Sequence, residues 1–109
     1  MNISSSFASG RLTVYLNGEL DQHEARYTAE SIGELVDEYL PRDLILDLAG
    51  LRFMDSSGIA VIVRSSERMR ALRGRIFLDN PGGQVLRVLD AAGIDRLVPI
   101  TGGKVGEPT

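Results

Sequence analysis

The sequence predicts an α/β fold, a mixed β-sheet of four to five strands with helices packed mainly on one face. Short segments alternate in hydrophobicity with a period of two, each with one wholly apolar parity and one mixed parity. Between them run stretches whose apolar residues recur at helical spacing, bounded by proline or glycine. A strand, a helix and a second strand then succeed one another over residues 43–79, the order of a parallel crossover. A doubly wound sheet would need both strand faces apolar, and only one is.

The elements come in order. Ile3 and Phe7 share a parity around Ser5, and Ala8-Ser9-Gly10 turns the chain into a strand over Arg11 to Asn17. In that strand Leu12, Val14 and Leu16 share one face, with Thr13, Tyr15 and Asn17 on the other. After Gly18-Glu19-Leu20, Asp21 is positioned to cap a helix, with Glu24 three residues on to close a capping box. Ala25, Ala29, Ile32, Leu35, Val36, Tyr39 and Leu40 form its stripe, and Pro41 ends it. The next strand, Asp43 to Leu48, sets Leu44, Leu46 and Leu48 against Ile45 and Asp47. A second helix carries Ile59, Ile62, Val63, Met69 and Leu72 as far as Arg73, with Gly74 at its C-terminal cap. Arg75 to Asp79 alternates again, Ile76 and Leu78 against Phe77. Pro81 opens a last helix through Val85, Leu86, Val88 and Leu89, closed by Gly93, and a short strand is expected near Leu97 to Ile100.

The length of 109 residues suits one domain, expected over residues 1–101 with a flexible tail over 102–109. A net charge of -3 argues against direct binding of nucleic acid, which rests on neutralising phosphates. The absence of cysteine excludes thiol catalysis and disulfides. Met1 to Ser6 carry no basic, apolar leader pattern, and no apolar run reaches the ~18 residues of a membrane span. The sequence therefore reads as a soluble cytoplasmic protein without a membrane partner.

The chain is organised around Phe53-Met54-Asp55-Ser56-Ser57-Gly58, between a strand pattern and a helix pattern. Two serines at a helix N-terminus, at the mouth of a sheet, stand where a reactive hydroxyl or an anion is accommodated. Asp55, Ser56 and Ser57 are also good helix caps, and capping alone would explain them singly. Two consecutive hydroxyls preceded by an acid and followed by glycine make a more specific set. A phosphate on Ser57 would bring about 1.5 to 2 negative charges to that helix end, opposed by Asp55. The lone histidine, His23, reads as a solvated loop residue rather than a general base for Ser57, because no oxyanion or pocket signature accompanies it. Asp47, Asp55 and Asp79 at strand ends lack metal-ligand spacing, so no metal, cofactor or catalytic set is expected. Arg64, Arg68, Arg70, Arg73 and Arg75 form a basic cluster opposed only by Glu67, either a solvated helix face or a patch for an acidic partner. Thr13, Tyr15, Ile45 and Phe77, on the mixed parities, outline a second candidate contact surface.

These residues resemble the anti-sigma factor antagonists built on a STAS domain. Leu16-Asn17-Gly18-Glu19-Leu20-Asp21 is similar to the family's strand and G-E-L-D turn, and Asp55-Ser56-Ser57-Gly58 to its D-S-S-G signature. Leu44 to Leu48 and Val85 to Gly93 fall in family order, while Gly82-Gly83-Gln84 makes the entry to the last helix longer than the family pattern. The resemblance implies a STAS-like sheet and a non-enzymatic switch in bacterial transcription. The unphosphorylated form would bind an anti-sigma factor, often itself a serine kinase, and free a sigma factor. Phosphorylation of Ser57 would release the partner and a serine phosphatase would reset the cycle. It implies a partner-binding set of Asp21, Asp55, Ser56, Ser57 and Gly58, and leaves a homodimer open. Two other readings stand beside it: a phosphorylation-independent STAS interaction or scaffold module of a stress-signalling or transport-associated complex, and, well behind, a hydrolase with Ser57 as nucleophile.

Overall fold

Strand β2 (Arg11–Leu20) is the spine of the molecule, because three other strands pair with it. Strand β1 (Asn2–Ala8) runs antiparallel to it through a two-residue turn, Ser9-Gly10, both left-handed, with φ of 56° and 79°. On its other edge β2 divides. Residues 11–15 pair in parallel with β3 (Asp43–Asp47), and Gly18 to Leu20 pair in parallel with β4 (Leu51–Met54), the register shifting between Gly18 and Glu19. β5 (Arg75–Asp79) lies parallel beyond β3, and β6 (Ile100–Thr101) beyond β5. The computed structural model describes residues 1–102, so the expected tail, Gly102 apart, lies outside the described residues.

Among the described residues the sheet has six strands, where the sequence predicts four to five. The additional one is β4. Its four residues show buried ends and exposed middle positions, Leu51 and Met54 against Arg52 and Phe53, so they offer no alternation to read. The mixed α/β architecture with helices on one face is as expected.

Helices α1 (Ala25–Tyr39), α2 (Ser56–Ala71) and α3 (Gly83–Ala91) supply one layer. The core forms where Leu12, Val14 and Leu16 of β2, Leu44 and Leu46 of β3 and Leu78 of β5 meet Ile32, Val36, Ile62, Met69 and Leu89. Burying each such side chain contributes about 1.5–3 kcal/mol. The stripe of α2 differs from the expected one. Gly58, Val61, Ile62, Ser65, Ser66 and Met69 are buried while Leu72 is exposed, because two serines occupy inward positions and Ser65 returns its hydroxyl to the Val61 carbonyl at 2.9 Å.

The end of α2 also differs. Arg73, not Gly74, takes the left-handed conformation, with φ of 59°. Gly74 is needed for a close approach instead: a Cβ there would sit 2.7 Å from the Arg42 carbonyl oxygen. Proline ends α1 as expected, with Leu40 turning left-handed just before Pro41. A 3-10 turn, Ile94–Arg96, links α3 to β6, which lies slightly later than the strand expected near Leu97 to Ile100.

Candidate functional site

The site begins with a consequence of parallel pairing. Leu20, the last residue of β2, is in register with Met54, the last of β4. The next residues, Asp21 and Asp55, therefore leave the sheet side by side, on strands about 4.8 Å apart. The Asp55 amide donates to the Leu20 carbonyl at 3.3 Å and ties the two exits together.

At the second exit the Asp55 side chain caps α2, Oδ1 accepting from the Ser57 amide at 2.9 Å. Ser56 is exposed and Ser57 half-buried, and the Ser57 hydroxyl makes no hydrogen bond among the described residues. Gly58 is buried. A Cβ at that position would lie 2.5 Å from Cγ of the fully buried Met54, so the glycine lets the first turn of α2 close down on the strand that feeds it. Gln84 of α3 completes the mount: its Nε2 donates to the Met54 carbonyl and its Oε1 accepts from the Met54 amide, both at 3.0 Å. Gln84 follows the Gly82-Gly83 pair at the entry to α3. Nothing local marks its role, since its partner is thirty residues away in sequence.

At the first exit Asp21 Oδ1 accepts from the amides of His23 and Glu24 at 2.9 and 3.2 Å. This caps a turn, and α1 begins only at Ala25, with Glu24 as an N-cap that makes no side-chain cap bond. The expected capping box is therefore not formed. Glu24 turns to the Met1 ammonium, 3.7 Å away, a charge partner more attractive than a backbone amide. A shallow hollow of about 260 Å³ lies alongside, walled by Met1, Gly18, Glu19, Asp21, Glu24 and Arg52.

The structure thus brings Asp21, Asp55, Ser56, Ser57 and Gly58 to one end of the sheet, with Gly58 beneath the surface. His23 is a highly exposed side chain whose Nδ1 lies 3.9 Å from Asp21 Oδ2, and no hydrogen bond joins it to Ser57 among the described residues. Asp47 and Asp79 bind their own surroundings: Asp47 accepts from Ala49 and Asn80, and Asp79 from Thr101. No group of three or more His, Asp or Glu among the described residues could hold a metal ion, and no helix among them is long and apolar enough to cross a membrane.

Residues 2–105 match the STAS domain family. The chain belongs to that family. This STAS domain is 29% identical over its whole length to an anti-sigma F factor antagonist of Paenibacillus polymyxa, covering 93% of that protein. It is 30% identical over 83 residues to the anti-sigma F factor antagonist of Lysinibacillus sphaericus, across 76% of this chain and 71% of that one. Against the anti-sigma-B factor antagonist of Bacillus subtilis the identity is 25%, over 97% of each. The fold is shared with an anti-sigma factor antagonist from Mycobacterium paratuberculosis, at a TM-score of 0.82 and 23% identity over 91% of this chain and 83% of that one. It is likewise shared with unphosphorylated SpoIIAA, at a TM-score of 0.78 and 24% identity over 92% and 88%. The resemblance to anti-sigma factor antagonists therefore extends over nearly the whole STAS domain.

Proposed function

We infer that this STAS domain is a cytoplasmic anti-sigma factor antagonist switched by phosphorylation of Ser57. Unphosphorylated, it binds an anti-sigma factor of the serine-kinase type and so releases a sigma factor; a serine phosphatase restores the binding form. The observation that carries the reading is the half-buried Ser57, its hydroxyl without a hydrogen-bond partner among the described residues, on a turn flanked by Asp21 and Asp55. The names of its relatives, antagonists of anti-sigma factors, support the same assignment.

The electrostatics explain how the switch works. A phosphate on Ser57 gains from the α2 N-terminus, but the Asp55 carboxylate already occupies that end, so the modification need not reorder the domain. Its effect falls on the partner. A surface evolved to sit against Ser57 in its neutral form must bury a dianion beside two carboxylates, which is strongly unfavourable without an opposing cation. In this account Asp21, Asp55, Ser56 and Ser57 form the docking surface, and Gly58 contributes from below by fixing the height of the turn.

A phosphorylation-independent interaction module is the second reading. The observation that favours it is that Asp55, as the cap of α2, and Gly58, against Met54, each have a structural role that needs no phosphate. Capture from a lysate of the source cell by wild-type, Ser57→Ala and Ser57→Asp baits separates the two. The switch predicts a kinase-like anti-sigma factor on the wild-type and Ser57→Ala baits and its loss on Ser57→Asp; equal capture by all three would replace it with the second reading.

A further inference from the structure

The face of the sheet that carries no helix is ordered into three rows by strand register. Arg11, Asp43 and Arg75 lie across the N-terminal ends of the parallel strands. Thr13, Ile45 and Phe77, with Ser6 of β1, cross the middle. Tyr15, Asp47 and Asp79, then Thr101, cross the C-terminal ends. In the middle row Ile45 and Phe77 are apolar and Ser6 and Thr13 carry hydroxyls; no helix among the described residues covers the row, and Tyr15 of the neighbouring row is 38% exposed.

The two outer rows carry opposite charge. Asp43 is held by the Arg75 fork, Nε and Nη2 at 2.9 and 3.1 Å, and by Arg11 at 3.6 Å, and Arg75 keeps its carboxyl below the ordinary pKa. Two arginines to one carboxylate leave that row cationic, with both arginine side chains largely exposed. Arg75 also leans over the Phe77 ring, 5.5 Å from its centroid. At the other end, Asp47 and Asp79 accept hydrogen bonds from neutral donors, and neither forms an ion pair among the described residues.

We propose that this face pairs with the same face of a second copy of the chain, about a two-fold axis that crosses the strands at the Thr13–Ile45–Phe77 row. Two sheets can stack on their own copies with the two-fold axis along or across the strands. An axis along the strands would set arginine row on arginine row and aspartate row on aspartate row. An axis across them reverses the strands and lays each strand over its own copy: Arg75 faces the partner copy's Asp79, Arg11 its Tyr15, and Asp43, already held by two arginines, its Asp47, so the row of net positive charge lies over the row of net negative charge and the middle rows meet. Charge selects the second arrangement. Four strands about 4.8 Å apart and five residues long at about 3.3 Å give a footprint of roughly 300 Å² per copy, about 600 Å² in all, well below the ~1,000 Å² of a stable interface, so the pairing is weak and transient. Because the strands oppose, the two Asp21–Ser57 ends point away from each other and both stay open.

The test is sedimentation equilibrium of the full chain, from about 5 µM to 1 mM, at low and high salt. The proposal predicts reversible dimerisation on the order of 100 µM, weakened by salt. Arg75→Glu and Asp79→Arg each weaken it at least about tenfold, and an equimolar mixture of the two restores it, since both cross-copy pairs then oppose unlike charges. Thr13→Arg, which sets two cations at the axis, abolishes it. Circular dichroism confirms that each variant is folded; should Arg75→Glu fail, Arg11→Glu takes its place. A wild type that stays monomeric, a dimer indifferent to these changes, or variants that do not complement would each overturn the arrangement.

Discussion

The two strand-to-helix turns at the functional end begin alike and finish differently. Each leaves one of two paired parallel strands through an aspartate whose Oδ1 accepts the amide two residues on. Beyond Asp55 the chain enters α2 at once, pressed by Gly58 onto Met54 and clipped by Gln84. Beyond Asp21 it makes one turn before α1, which starts at Ala25 without a side-chain cap. An identical capping residue therefore yields a serine platform pressed onto the sheet in one case and a half-buried acid that holds only its own turn in the other. The outcome is decided by the residues C-terminal to the cap and by the packing beneath it.

The contrast can be broken by experiment. Gly58→Ala forces a Cβ into the Met54 side chain, so despite the better helix propensity of alanine a net loss of about 2 kcal/mol is expected in urea unfolding. No loss would mean that Met54 moves aside and the platform is soft. Gln84→Ala removes both bonds to the Met54 backbone and should cost about 1–2 kcal/mol, accompanied by faster amide exchange at Met54. Asp55→Ala should cost about 1 kcal/mol and Asp21→Ala only a few tenths, since the latter caps no helix. Equal costs would show the two turns to be energetically equivalent.

The opposite end of the sheet sharpens the comparison through pH. Arg75 lowers the pKa of Asp43 from 3.8 by hydrogen bonding to it, outweighing the burial that would raise it. A depressed folded pKa contributes stability above the unfolded value and loses it as pH falls. Wild-type stability should therefore decline from about pH 4 downward through the lower folded pKa of Asp43, and Asp43→Asn should flatten that decline in acid denaturation.

Much of this was legible in the sequence because it is local. The β1–β2 hairpin, the Pro41 stop, the alternation of β2, β3 and β5, and the Asp55 cap all rest on residues within a few positions of one another. The features that escaped rest on distant partners. β4 is too short to show a period and exists because β2 offers it an edge at Gly18 to Leu20. Glu24 prefers the Met1 ammonium to the Asp21 amide, Gly74 answers to the Arg42 carbonyl, and Gln84 to Met54. The motif itself could be read from its residues, but its pairing with Asp21 depends on β4, the one strand without a sequence signal.

Ser57 as the seat of the switch is the central claim. Its most direct test is to recover the captured anti-sigma factor, incubate it with the wild-type chain and ATP, locate the phosphate by peptide mass spectrometry, and measure the affinity of the modified chain for that partner. The expected result is phosphate on Ser57 and a loss of affinity of at least about tenfold, some 1.4 kcal/mol. Phosphate on Ser56 alone, or phosphate on Ser57 with affinity unchanged, would contradict it.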